Sequence, residues 1–336
     1  MTEFLSDTGF MIHSVFMQRC LALAERGRGS VGNGALVGSV LVRDEKIIAE
    51  GFHEQFGGPH AERVLLEKFE QKIYSDDVLY INLEPCCHHG KTPPCTDLIL
   101  ERGIKHVVIG MSDPDPRVSG KGIAQLRASG VNVTGPVLRS ECEWLNRGFI
   151  SVRTNHRPWI TLKQAQTRDG KTANADSSPL KITSKEQDIF SHTFLRATHD
   201  AILVGVGTII KDDPRLDARF SLAQKKYQPW RIILDPTLRI PLTSRVVTDE
   251  QRTRTIIVTE AERGKAYADL VARGVIVLPC DLIDGAFSWN DLWKCLLTSR
   301  EGFDGLTSIL VEGGTGTWEA FAGAKIVDSS VTVIGD

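Results

Sequence analysis

Apolar residues along the 336-residue chain fall into two rhythms. Short, nearly unbroken runs rich in Val, Ile and Leu read as buried strands: "ALVGSVLV" (35–42), "IIAEGF" (47–52), "DVLYINLEP" (77–85), "HVVIGM" (106–111) and "VNVTG" (131–135), the first two joined by the polar turn "RDEK". Between them lie segments with helical spacing: "FMQRCLALAERG" (16–27), "GGPHAERVLLEKF" (57–69), "CTDLILERG" (95–103) and "KGIAQLRASG" (121–130). The alternation predicts an α/β unit, a mixed sheet with helices on both faces.

The stretch "NRGFISVRTNHRPW" (146–159) is polar and lacks a period, so the domain boundary is placed there, giving domains 1–148 and 149–336. Beyond it come strands "WITLKQ" (159–164), "AILVGVG" (201–207), "RIILD" (231–235), "TIIVT" (255–259), "GVIVL" (274–278) and "LTSILVE" (306–312). Helices are expected through "EQDIFSHTFLRATH", around "WNDLWKCLLTS" and from "GTWEAF", which makes a second α/β unit. No internal repeat or low-complexity segment stands out.

Composition adds limits. With 41% apolar residues the chain is long enough for two cores, and its net charge of -2 offers no bulk attraction to nucleic acid or an anionic membrane. Glu3 and Asp7 stand where a secretory signal needs basic residues, and no apolar run reaches membrane-spanning length, so a cytoplasmic location is expected. Seven cysteines, an odd number, do not suggest a disulfide framework, and three of them, Cys86, Cys87 and Cys95, crowd into "LEPCCHHGKTPPCTD" (83–97).

That cluster changes the reading of His60 and Glu62. Alone, a histidine and a glutamate on a helix's first turn are an ordinary surface pair. Cys86 follows a strand and Cys95, after eight intervening residues, opens a helix, so two thiolates and the His60 imidazole are available as three zinc ligands with a fourth position left open. Glu62 then sits beside the metal without being a ligand, the placement of a proton carrier for a water whose pKa zinc lowers from ~15.7 to ~7. His-x-Glu with Pro-Cys is the signature of zinc nucleobase deaminases, although the second cysteine arrives later here. A closed four-ligand site completed by Cys87, His88 or His89 is the competing possibility. His88 and Lys91 are candidates for touching substrate.

The long cysteine spacing with "HHGKTPP" between, continuing through "SDPDPRVSGKGIAQLRASGV" and nearly the whole second domain, resembles the bifunctional riboflavin-biosynthesis deaminase/reductase family, RibD. The resemblance implies an N-terminal cytidine-deaminase-like three-layer α/β/α domain that binds Zn2+ through His60, Cys86 and Cys95, with Glu62 as proton shuttle. It implies a C-terminal dihydrofolate-reductase-like α/β domain that uses NADPH. The reaction pair would be hydrolytic deamination of 2,5-diamino-6-ribosylamino-4(3H)-pyrimidinone 5′-phosphate and reduction of its ribosyl group to ribityl.

In the second domain, "ILVEGGTGTWEAF" (309–321) feeds Gly313, Gly314 and Gly316 from a strand into a helix, leaving backbone N–H groups for a phosphate, whereas Gly205 and Gly207 are a weaker signal. The resemblance assigns Ala165, Thr208, Asp212, Gly314, Thr315 and Gly316 to the cofactor, and Lys163, Arg196, Leu216, Arg219 and Glu312 to the substrate. Arg196 and Arg219 are expected to fork onto its 5′-phosphate and Glu312 to hold a ribose hydroxyl. The expected partners are this phosphorylated pyrimidine and further copies of the chain as a homo-oligomer, with neither nucleic acid nor membrane.

Several positions depart from the family pattern. Gly34 stands where an asparagine reads the pyrimidine, with Asn33 displaced by one, and Asp115 replaces an asparagine. Pro179 replaces a substrate-binding serine and Lys181 a tryptophan that packs on the cofactor. The sequence stops at "SSVTVIGD", where relatives continue with further strands, and an exposed sheet edge or a weakened dimer is expected from this. Alternatives are therefore a deaminase with a weak or inactive reductase half, a zinc deaminase acting on another nucleobase or tRNA, and a non-enzymatic zinc-stabilised binding module.

Overall fold

A computed structural model describes residues 7–88, 93–116, 118–172, 182–220 and 227–335. His89, Lys91, Pro179 and Lys181 lie outside them. The chain divides into two compact units, Met1–His156 with Glu301–Asp304, and Arg157–Arg300 with Gly305–Asp336.

The first unit runs α1 (Asp7–Ala24), β1 (Gly38–Arg43), β2 (Lys46–Phe52), α2 (Ala61–Lys68), β3 (Val78–Ile81), α3 (Cys95–Glu101), β4 (His106–Ile109), α4 (Lys121–Ala128), β5 (Asn132–Thr134), α5 (Arg139–Leu145) and α6 (Arg147–Asn155). Its sheet has the order β2-β1-β3-β4-β5, antiparallel where β1 meets β2 and β3, parallel from β3 to β5. The two-residue period of the strands sorts their side chains into two cores. Val40, Val42, Tyr80 and Val108 pack with Phe16, Met17, Cys20 and Leu23 of α1. Leu41, Leu79, Ile81, Val107 and Ile109 pack on the other face with Leu65 and Leu66 of α2, Leu98 and Ile99 of α3 and Leu126 of α4. Apolar faces on both sides explain the unbroken runs in the sequence.

The helix after His60 is held close to the sheet. A Cβ at Gly51 of β2 would lie 2.5 Å from the Ala61 carbonyl oxygen, so only glycine lets the first turn of α2 approach this strand.

Residues 146–159, polar and without a clear period in the sequence, contain α6. The polar letters misled because Arg147 is buried, its guanidinium 4.5 Å over the Trp144 ring with Nη1 donating to the Trp144 carbonyl at 3.0 Å. Phe149 joins the core on the α1 side.

The second unit runs β6 (Trp159–Gln166), α7 (Lys185–Phe190), β7 (Ala201–Gly205), α8 (Val206–Asp212), β8 (Trp230–Leu234), α9 (Arg245–Thr248), β9 (Thr255–Thr259), α10 (Lys265–Ala272), β10 (Ile276–Pro279), a small hairpin of β11 (Leu282–Ile283) and β12 (Ala286–Phe287), α11 (Trp289–Leu297), β13 (Ser308–Val311), α12 (Thr315–Gly323) and β14 (Ser329–Ile334). The main sheet has the order β10-β9-β8-β7-β13-β6-β14, with every neighbouring pair parallel. All the strands therefore end at one rim of the sheet, where crevices for ligands form in open α/β folds. β14, from the "SSVTVIGD" segment, is an edge strand of this sheet and pairs with β6 from Ser329↔Thr161 to Ile334↔Gln166. Among the described residues, no helix is long and apolar enough to cross a membrane.

Candidate functional site

In the first unit, His60 occupies the cap position of α2 in extended conformation, and Cys95 is the first residue of α3. The chain leaves β3 and brings Cys86 between them, where the Cys86 carbonyl accepts from the Thr96 amide at 3.2 Å and the Thr96 hydroxyl at 3.3 Å. His60 Nδ1 lies 3.5 Å from each sulfur, and the Cys95 amide donates to Cys86 Sγ at 3.3 Å. The three ligand atoms lie within 4.8 Å of one another, which suits one tetrahedral ion of the soft, nitrogen-accepting kind. Among the described residues no fourth side chain joins the group, and neither Cys87 nor His88 belongs to it.

Electrostatics point the same way. The hydrogen bond from Cys95, and then that from His60, hold the Cys86 thiol down to about 4 against the effect of burial. The Cys95 thiol is pushed up by its bond to Cys86, and His60 is raised chiefly by the same sulfur. Glu62, only 3% exposed, faces the same cavity, and burial pushes its carboxyl up.

That cavity, of about 290 Å³, is lined by His60, Glu62 and Cys86 and also by Asn33, Gly34 and Asp115. A Cβ at Gly34 would sit 2.9 Å from the Val31 carbonyl oxygen, so position 34 takes glycine here and the nearby amide side chain belongs to Asn33.

Sequence reasoning missed Glu84. It is 3% exposed, and its two carboxylate oxygens accept four backbone N–H groups: Asp113 at 3.1 Å and Gly120 at 2.9 Å on Oε2, Gly122 at 3.0 Å and Ile123 at 3.2 Å on Oε1. One acid thus ties the loop carrying Asp113 and Asp115 to the start of α4. An acid closing an apolar strand, read against the glycines of "SGKG", was the available signal. Glu84→Gln presents an amide N–H₂ to those donors and is expected to cost about 2–4 kcal/mol, measured as a lower urea midpoint. An unchanged midpoint rules out this anchoring role.

In the second unit a cavity of about 890 Å³ follows the rim where β6, β13, β7 and β8 end. Six residues expected at the cofactor, Ala165, Thr208, Asp212, Gly314, Thr315 and Gly316, line it, as do Lys163 and Glu312. Lys163 and Ala165, two apart on β6, project to one face. Gly314 precedes α12 and offers no side chain to its first turn, so the N–H groups there remain for an anion. The other glycines differ in kind. Cβ atoms at Gly205 and Gly313 would come within 2.6 and 2.4 Å of Thr317 atoms, whereas Gly207 and Gly316 face open space.

Arg196, Leu216 and Arg219 are not among the residues lining this cavity. Arg196 was expected to fork onto a phosphate. Instead its Nε and Nη2 donate to Glu312 Oε1 and Oε2 at 2.8 and 2.7 Å, and its Nη1 donates to the Asp217 carbonyl at 2.9 Å and lies 3.3 Å from His192 Nε2. Opposite charges converge because Glu312, the residue after β13, would otherwise be a buried lone acid. Burial alone would push Glu312 up, but the Arg196 charge and hydrogen bonds outweigh it and hold the carboxyl down to about 2. His192, buried beside Arg196, is lowered to about 4, chiefly by burial. Leu216 is buried with a left-handed backbone (φ 50°), and Arg219 pairs with Asp217 at 2.6 Å and lies 5.1 Å over the Phe220 ring.

Comparison with known proteins places these sites in context. Residues 11–111 match the family model for the cytidine and deoxycytidylate deaminase zinc-binding region, and residues 158–335 match that for the RibD C-terminal domain. The chain is 41% identical to the riboflavin biosynthesis protein RibD of Aquifex aeolicus (strain VF5) over 319 residues, covering 95% of this chain and 85% of the relative. It is 33% identical to that of Escherichia coli (strain K12), covering 95% and 86%. A solved diaminohydroxyphosphoribosylaminopyrimidine deaminase/5-amino-6-(5-phosphoribosylamino)uracil reductase from Thermotoga maritima superposes with a TM-score of 0.77 at 36% identity, covering 97% of this chain and 87% of that one.

Proposed function

Since the chain belongs to the RibD family, and is thus a riboflavin-biosynthesis enzyme joining a zinc deaminase to an NADPH-dependent reductase, we propose how its own residues divide the work. The first unit, 1–156 with 301–304, carries deamination and the second carries reduction. His60, Cys86 and Cys95 hold the zinc, which when bound supplies the Lewis acidity that activates water near neutral pH. Glu62 takes one proton from the attacking water and passes it to the ring nitrogen, then takes the second from the added hydroxyl and passes it to the 2-amino group of the phosphorylated diaminopyrimidinone, which departs as ammonia. Burial favours this role, because a carboxyl raised by desolvation binds a proton more readily than one in water. Asn33 and Asp115, which line the same cavity, are the polar residues available to the pyrimidine's edge.

In the second unit Lys163 and Glu312 hold the ribosyl hydroxyls, while Ala165, Thr208, Asp212 and the Gly314–Gly316 turn hold NADPH, the hydride donor. Glu312 stays ionised at working pH and Arg196 fixes its orientation. Of the two arginines expected at the substrate's phosphate, Arg219 remains the candidate, although it lies outside the main cavity and pairs with Asp217 at 2.6 Å.

The observation that carries the reading is the convergence of two sulfurs and an imidazole on one cavity with a buried non-ligand carboxylate. Separate assays test it. Chelation of the metal is expected to stop ammonia release from the diaminopyrimidinone while NADPH oxidation on the deaminated product continues. Deamination that survives chelation excludes the zinc assignment, and absence of NADPH oxidation by the metal-loaded protein excludes the reductase assignment.

A further inference from the structure

The cavity of the first unit holds one cation that the deamination chemistry does not use. Among the described residues lining it, Glu62, Glu84, Asp113 and Asp115 are acids, and Arg153 is the only arginine or lysine. Arg153 stands on α6 four residues after Phe149, so the two side chains share a helix face, and both line the cavity. Phe149 is fixed in the core with Tyr80 and Cys142, and the Arg153 guanidinium carbon lies 5.0 Å from the centre of its ring. A cation–π contact of this kind holds the guanidinium in place and uses none of its N–H donors in hydrogen bonds to oxygen.

Those donors are not met within the protein. Arg153 Nε is buried without a hydrogen-bond partner, and the side chain forms no ion pair among the described residues. Asp113 does not take that place: its Oδ1 accepts the Asp115 amide at 2.8 Å, and burial raises its carboxyl by more than the Arg153 charge lowers it. A buried N–H left unpaired is costly, so its persistence on a cavity wall points to a partner that arrives with a ligand. The diaminopyrimidinone brings one. Its C2 must reach the metal ligands for the amino group to leave, while the ribosyl arm on C6 carries a phosphate of about −1.5 to −2 charge at neutral pH. Carboxylates repel such a group, and a guanidinium fork matches its oxygens.

We propose that Arg153 binds the 5′-phosphate of the pyrimidine during deamination and so makes the first unit selective for the phosphorylated substrate, an inference that rests on the reading of this unit as the deaminase. Ammonia release by the zinc-loaded full chain, measured on the phosphorylated diaminopyrimidinone and on the same ribosylamino compound without its phosphate, tests it. Wild type is expected to favour the phosphorylated form about 10- to 100-fold in kcat/KM, the size of one charged hydrogen-bonded contact. Arg153→Met keeps an apolar stem over Phe149 and is expected to remove most of that preference, raising KM for the phosphorylated form far more than it lowers kcat. Its thermal midpoint is expected not to fall, because the unmet buried donor goes with the charge. Arg153→Lys is expected to keep part of the preference. A preference that survives in Arg153→Met, or a loss that strikes both compounds equally, overturns the assignment while leaving the deaminase reading intact. A wild-type chain that releases ammonia from neither compound overturns both.

Discussion

Glu62→Gln is expected to abolish ammonia release, by about 10²- to 10⁴-fold, while zinc content stays at the wild-type level. The substitution keeps shape and volume at a position only 3% exposed, so packing of α2 against the sheet is preserved. It removes no ligand, because the ligand atoms come from His60, Cys86 and Cys95. What it removes is the capacity to gain and lose a proton inside the cavity. Metal analysis, ammonia release, and NADPH oxidation on deaminated product, measured on one preparation, separate the possibilities. The third quantity is expected to stay unchanged, since Glu62 lies in the other unit. Turnover retained within about tenfold of wild type removes Glu62 from the proton path, and lost zinc shows that it supports the ligands instead.

Glu312→Ala is expected to be the most damaging change in the second unit. The side chains of Glu312 and Arg196 are 8% and 14% exposed, so deleting the acid strands a guanidinium away from water. Breaking a buried pair in this way costs about 3–5 kcal/mol, against a net stability of about 5–15 kcal/mol for a domain. The double variant Glu312→Ala/Arg196→Met is expected to recover most of that loss and none of the NADPH oxidation, because it removes the stranded charge but not the need for Glu312. Acid dependence provides a further check. The folded carboxyl is held at about 2, below its ordinary value of 4.5, so its stabilisation is complete above 4.5 and is lost as pH falls through about 2. The stability gap between wild type and Glu312→Ala, measured by urea unfolding, should therefore be full at neutral pH and narrow only in that acid window. A gap that closes well above 4.5, or a double variant no more stable than the single one, removes the pair from this role.

How far the letters lead depends on the distance over which an interaction acts. The strands of both sheets are visible because burial on two faces selects Val, Ile and Leu at consecutive positions, and the helices because one face must be apolar every three to four residues. The candidate zinc ligands are equally visible as residues: His60 caps one helix, Cys95 opens another, and Cys86 lies in the loop between β3 and α3. The glycines were only half legible. "GGTG" announced a turn, but only the position of Thr317 distinguishes Gly205 and Gly313, which a neighbour requires, from Gly316, which faces open space.

The sequence by itself determined two α/β units and most of their buried strands, since each follows from solvation and backbone geometry within a few residues. Tertiary structure alone decided the rest. Glu84 gathers four amides from a segment about thirty residues or more further on, and Arg196 turns to Glu312, 116 residues away, rather than to a ligand. Such partners are set by charge compensation across space, which leaves no period in the chain to read.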